Sequence, residues 1–145
     1  MSELKSNQWR SAAQIYRDYN AAENRHDLAG STALVAADLH VEVNGIPQVA
    51  SGADDEAAMA ILYEIYPDYR REIIRIIDSG DEAAVIWKMA GTPSSSIDGI
   101  SPLNVEGVSI VTGDGLVLTK ASLYADSSAL DQALARAREA KRGSK

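Results

Sequence analysis

The stretch that most constrains the fold runs from residue 71 to residue 125. Four runs rich in apolar and β-branched residues follow one another: REIIRIID (71–78), AAVIWKMAG (83–91), NVEGVSIVT (104–112) and LVLTKASLYA (116–125). SGDE links the first two, and the last two meet at a turn over residues 113–115, GDG. Links this short make hairpins. Between the two pairs, TPSSSIDGISP is polar and full of turn formers, so it reads as a loop. A meander of strands has one face to bury, and other elements must cover it.

The first half of the chain supplies the cover. Residues 7–24 predict a helix, with Trp9, Ala12, Ala13, Tyr16 and Tyr19 on one face. Residues 27–37 suit a second, shorter helix with Asp27 near its start, and NRH makes the two a helical hairpin. LHVEVNG then alternates: Leu39, Val41 and Val43 point one way, and His40, Glu42 and Asn44 the other. That is a half-buried strand ending at a Gly/Pro turn. Residues 53–66 form a third helix whose acidic start complements the helix dipole and which Pro67 stops. A last helix spans about 127–142. The order α-α-β-α-β-β-β-β-α predicts an α+β fold with helices on one face of a curved sheet, and 145 residues suit a single domain over 1–145.

The net charge of −7 repels phosphate backbones and anionic lipid surfaces, so neither nucleic acid nor membrane is an expected partner. The basic tail ARAREAKRGSK reads as a solvated helix end. No run approaches membrane-spanning length and the N-terminus has no apolar signal segment, so a cytoplasmic location is the expectation. The absence of cysteine removes disulfides, thiolate metal sites and a cysteine nucleophile. His26 and His40 alone cannot make a usual zinc site. No P-loop is present and no GxGxxG follows a strand, so the expectation is no cofactor and no metal.

Three stretches carry a family resemblance. YNAAENRHDLAGSTALVAADLHVEVNG, YPDYRREIIRIIDSGDEAAVIWKMAGT and GDGLVLTKASLYADSSALDQAL together resemble the SnoaL-like polyketide cyclases of the nuclear-transport-factor-like superfamily. The resemblance implies a cone-shaped α+β barrel with an apolar pocket at its open end, and a homodimer formed through the outer sheet face. Relatives of this kind include cyclases, ketosteroid isomerases, limonene epoxide hydrolases, dehydratases and members without catalysis, so the fold does not choose a reaction. Ketosteroid isomerases resemble this chain through DLAGSTALVAADLHVEV. Yet Val43 stands where they carry a catalytic carboxylate, and Gly107 where they carry an acidic oxyanion-hole residue. Many SnoaL-like chains have Gly-Thr-His where this one has Gly-Thr-Pro93.

Candidate site residues follow from side-chain alternation and from the resemblance. On the last strand Lys120, Ser122, Tyr124 and Asp126 share one face, and Ala121, Leu123 and Ala125 the other. Polarity alone sends the first set to solvent. The resemblance turns Tyr124 and Asp126 into the pocket, which makes Asp126 a catalytic acid or base with Tyr19 beside it. The plainer reading of Asp126 is a helix N-cap, although Ser127 or Ser128 could cap as well. Tyr16, Tyr63, Trp87, Met89 and Tyr124 are expected to bind substrate, with core packing the alternative for the tyrosines of the helices and for Trp87 and Met89. His40 and Glu42 read as an outer strand face, and ADDE (53–56) as a solvated helix start. Arg70, Arg71 and Arg75 read as lying at or near the outer hairpin, so the Asp-Arg-Asp set of limonene-type epoxide hydrolysis cannot be assembled. The expected function is a cofactor-independent biosynthetic enzyme. It would use general acid/base catalysis to cyclise or isomerise an apolar, oxygen-bearing, polyketide-like molecule. The alternatives are epoxide opening and a non-catalytic ligand-binding or dimer-scaffold domain.

Overall fold

A computed structural model describes residues 9–95 and 99–143; the expectations for residues 1–8, for 96–98 of the loop and for the last two residues lie outside it. Helix α1 spans Ala12–Asn24 and is started by Ser11, whose hydroxyl accepts from the Gln14 N–H. Trp9 stands before the helix, half exposed, with its ring against Gly115. Helix α2 is shorter than expected, Leu28–Thr32, with Asp27 as its cap. It stops early because Leu34 and Val35 pair with Leu118 across the sheet. Strand pairing overrides the helical preference of the alanines there.

Strand β1 is Val35–Val43 and β2 is Ile46–Val49, a short strand where Gly45 and Pro47 signal a turn. Asn44 and Gly45 both take positive φ, the backbone of a tight hairpin. Pro47 is tolerated because β2 is an edge strand. Helix α3 is Gly52–Ile65; Ser51 accepts from Asp54 N–H while the Asp54 carboxylate accepts from Ala50 N–H. Strands β3 (Arg70–Asp78), β4 (Glu82–Gly91), β5 (Leu103–Gly113) and β6 (Leu118–Ala125) form the expected meander, and α4 is Ser128–Gly143.

The six strands make one curved, open sheet in the order β2-β1-β6-β5-β4-β3. Only β1 against β6 is parallel among these pairs. Helix α1 lies across β3, β4 and β5, and buries Ile15, Tyr16 and Tyr19 against their concave face. That face carries Val85, Trp87 and Met89 of β4 and Val105, Ser109 and Val111 of β5. Parity on β6 is the opposite of what the family resemblance suggested. Tyr124 pairs with outward-facing Val108, and Leu123 with buried Ser109, so Ala121, Leu123 and Ala125 face inward. Among the described residues no helix is long and apolar enough to cross a membrane.

Candidate active site

The inner sheet face, α1 and α3 enclose a cavity of about 290 Å³. Most of its wall is hydrocarbon, from residues such as Val41, Leu39, Met59, Leu62, Val105 and Leu123. Exposed Asn44, Gln48 and Asp131 mark the mouth. Polar side chains gather at the opposite, buried end, where α1, α3 and three strands each contribute.

Tyr16, Tyr19 and Glu23 follow one another at three- and four-residue spacing, so they lie on one face of α1. Tyr19 Oη donates to Asp55 Oδ2 at 2.8 Å. Arg71 of β3 reaches the same end, its guanidinium 4.6 Å from the centre of the Trp87 ring. Arg71 Nη1 donates to Tyr16 Oη at 3.1 Å and Nη2 to Met89 Sδ at 3.3 Å, while Nε lies 3.7 Å from Glu23 Oε2. Glu23 is fully buried and accepts from Tyr69 Oη at 2.7 Å. Placed to satisfy its partners, the Asn20 amide donates to Glu23 Oε1 and to the Arg71 carbonyl, both at 3.2 Å. Trp87 Nε1 donates to Ser109 Oγ at 2.8 Å, which fixes the indole as wall.

Burial sets the proton affinities. It raises the Asp55 carboxyl above its ordinary range, against the pull of the Tyr19 hydrogen bond and of Arg71. It raises Glu23 as well, opposed first by Arg71 and then by Tyr69. Burial also pushes the Tyr16 and Tyr19 phenols up, and Asp55 adds to the effect on Tyr19. For Arg71 burial works against the charge, but Glu23 and the tyrosines outweigh it and keep the guanidinium charged. The cavity thus holds a charged donor, two phenols and a carboxyl shifted toward the range useful for proton transfer.

Tyr16, Tyr19, Trp87 and Met89 line the cavity. Tyr63 does not: it stacks on His26, with ring centres 4.0 Å apart, and donates to the Glu23 carbonyl, while burial raises its phenol to about 12. Tyr124 is 50% exposed on the outer sheet face. Asp126 is exposed too, and its Oδ1 accepts from the Ser128 hydroxyl at 2.8 Å and the Ser128 N–H at 3.2 Å, which together hold its pKa below the ordinary range. The expectation that Tyr124 and Asp126 project into the cone is therefore corrected: the β6 register turns their face outward. Arg71 is corrected in the other direction, from outer hairpin to buried floor. Asp55, read as part of a solvated helix start, lines the cavity. Its spacing from Met59 and Leu62 (four and seven residues) carries that signal. Gly107 sits where a Cβ would lie 2.7 Å from both Trp87 and Ala125, so a larger side chain there would crowd the wall. Val43 lines the wall without a polar atom. Among the described residues no three His, Asp or Glu side chains group as a metal site.

The sequence profile of the SnoaL-like domain matches residues 16–124. No curated protein matches the chain significantly. Solved structures match its fold. An M. tuberculosis LEH-like epoxide hydrolase is 16% identical, covering 92% of this chain and 96% of its own, with a TM-score of 0.68. An NTF2-like protein from Burkholderia xenovorans is 21% identical over 87% of this chain and 98% of its own, with a TM-score of 0.65. A ketosteroid isomerase candidate from Kribbella flavida is 18% identical over 78% and 76%, with a TM-score of 0.61. At these identities the likeness is one of fold alone.

Proposed function

The chain belongs to the SnoaL-like family, and from that premise we propose that it is a cofactor-independent enzyme that moves protons on an apolar, oxygen-bearing biosynthetic intermediate. The observation that carries this reading is the Tyr19–Asp55 pair at the polar end of a cavity whose walls are mostly hydrocarbon. Asp55 acts as the base. Its carboxylate takes a proton from the carbon beside a carbonyl group, and the electron pair moves onto the carbonyl oxygen. Arg71 and Tyr16 donate to that oxygen, where charge develops. Returning the proton to another carbon isomerises the molecule. Attack of the enolate carbon on a second carbonyl closes a ring, and the new alkoxide takes the proton back from Asp55. Tyr19 holds the carboxyl in place through its hydrogen bond and tunes its proton affinity.

One observation supports epoxide opening as a second reading. Arg71 lies within electrostatic reach of both Glu23 and Asp55, an acid–arginine–acid set. In that reaction Asp55 takes a proton from water or an internal hydroxyl. The freed oxygen attacks an epoxide carbon, the C–O bond breaks, and the departing oxygen takes a proton from Tyr16. The two readings separate by assay. Cyclic ketones in deuterium oxide report proton abstraction through deuterium entering the α-carbon. Terpene-type epoxides in labelled water report opening through labelled diol. A chain inert in both assays that still binds such ligands would be a binding domain.

We also propose a homodimer through the outer sheet face. There Ile74, Ile77, Ile110 and Tyr124 are each exposed on β3, β5 and β6, an apolar patch that a second copy would cover.

A further inference from the structure

We propose that the ligand of this cavity is an uncharged molecule of one or two rings that offers one hydrogen-bond-accepting oxygen to the buried end and hydrocarbon to the rest. The inference rests on the reading of this cavity as the reaction site and names the class of molecule it takes.

Charge excludes the ionised alternatives. Arg71 is the cation of the buried end, and Glu23 already stands 3.7 Å from its Nε. A ligand carboxylate would find no uncompensated positive charge, and it would share the cavity with the Asp55 carboxyl. Burying an unpaired charge there is costly. A ligand ammonium would face Arg71 itself. Tyr19 already occupies one of the Asp55 oxygens that an ammonium would seek.

Hydrogen-bond chemistry selects an acceptor. A guanidinium carries five donor hydrogens; among the described residues Arg71 donates to Tyr16 and Met89 and turns Nε toward Glu23, which leaves two. The Tyr16 hydroxyl accepts from Arg71, which leaves its own proton to donate. Ser109 Oγ accepts from Trp87 and lies beside Tyr16 Oη, which takes up the Ser109 proton. The buried end therefore offers donors to one oxygen, and the walls beyond it offer none until the mouth.

Size sets the upper limit. About 290 Å³ lies at the bottom of the range of ligand pockets, roughly 300–1,000 Å³. Two fused rings fill such a space, whereas four overfill it. Met59, buried on α3, forms part of the limiting wall.

The test is calorimetric titration at neutral pH with decalone, decalin carboxylate, aminodecalin and a four-ring steroid ketone. Decalone should bind at least about tenfold more tightly than each of the other three. Met59→Ala should tighten the steroid ketone at least about tenfold relative to decalone. Equal or tighter binding of the carboxylate, the amine or the steroid ketone, or no binding of decalone, would overturn the proposal. The catalytic reading fails separately. Decalone that binds without exchanging its α-hydrogens in deuterium oxide removes the catalysis and leaves the ligand class standing.

Discussion

Tyr19 Oη lies 2.8 Å from Asp55 Oδ2 and joins the middle of the first helix to the first turn of the third. The contact ties the two helices together beside the cavity and holds a half-buried carboxyl there. Its consequence for stability has a definite sign. Burial lifts Asp55 above its ordinary 3.8 in the folded chain, although Tyr19 and Arg71 pull the other way. The native chain then keeps a proton that the unfolded chain has released. This contribution is fully present below pH 3.8 and is lost as pH rises through the folded value. Asp55→Asn carries no charge at any pH. Thermal unfolding across a pH series should show the wild-type melting temperature falling relative to the variant above pH 3.8. A constant difference would mean that Asp55 is not desolvated.

The Arg71–Glu23 pair predicts strong coupling. Arg71→Met leaves Glu23 buried without its cation and should cost about 3–5 kcal/mol in denaturant unfolding. The double variant Arg71→Met with Glu23→Gln should cost less than Arg71→Met alone. Additive losses would place the two side chains in separate environments.

Gly107 tests the packing of the cavity wall. An added Cβ would meet Trp87 and Ala125 at 2.7 Å and the Tyr124 carbonyl at 2.8 Å. Gly107→Ala should therefore destabilise by about 1–3 kcal/mol. Denaturant unfolding with an unchanged slope checks it, and a neutral result would mean that Trp87 yields without cost.

The outer face predicts assembly. Light scattering should give about twice the chain mass of 15.5 kDa at micromolar concentration. Ile110→Lys with Tyr124→Glu should give the single-chain mass with the fold retained. A wild-type monomer, or a dimer indifferent to both substitutions, removes this interface.

Much of the fold was legible because its signals are local. Two hairpins, an alternating strand and three capped or Pro-stopped helices follow from spacing and turn residues. Strand β2 was hidden by Pro47, which reads as a breaker and is harmless only on an edge. The site was legible in part. Tyr16, Tyr19, Trp87 and Met89 reach the cavity as their periodicity suggests. Arg71 reads as hairpin surface because arginine is rarely buried without a partner, and its partner Glu23 lies far away in sequence, on the first helix. Asp126 faces solvent as the polarity of its own strand indicates, against what the family resemblance implies. Glu23 and Asp55 are hard to read because acidic residues on helices usually face water. Their spacing from Tyr16 and Tyr19, and from Met59 and Leu62, marks them as inward.

The central claim is that Asp55, held by Tyr19, is the group that moves the proton. It is tested most directly by the rate at which deuterium enters the α-carbon of the best-exchanging cyclic ketone, measured for wild type, Asp55→Asn and Asp126→Asn. Wild type should exchange well above buffer. Asp55→Asn should fall by roughly 10²–10⁴-fold, the scale of one general acid/base, while Asp126→Asn keeps the wild-type rate. Exchange no faster than buffer in the wild type, or an Asp55→Asn rate close to wild type, would contradict the account.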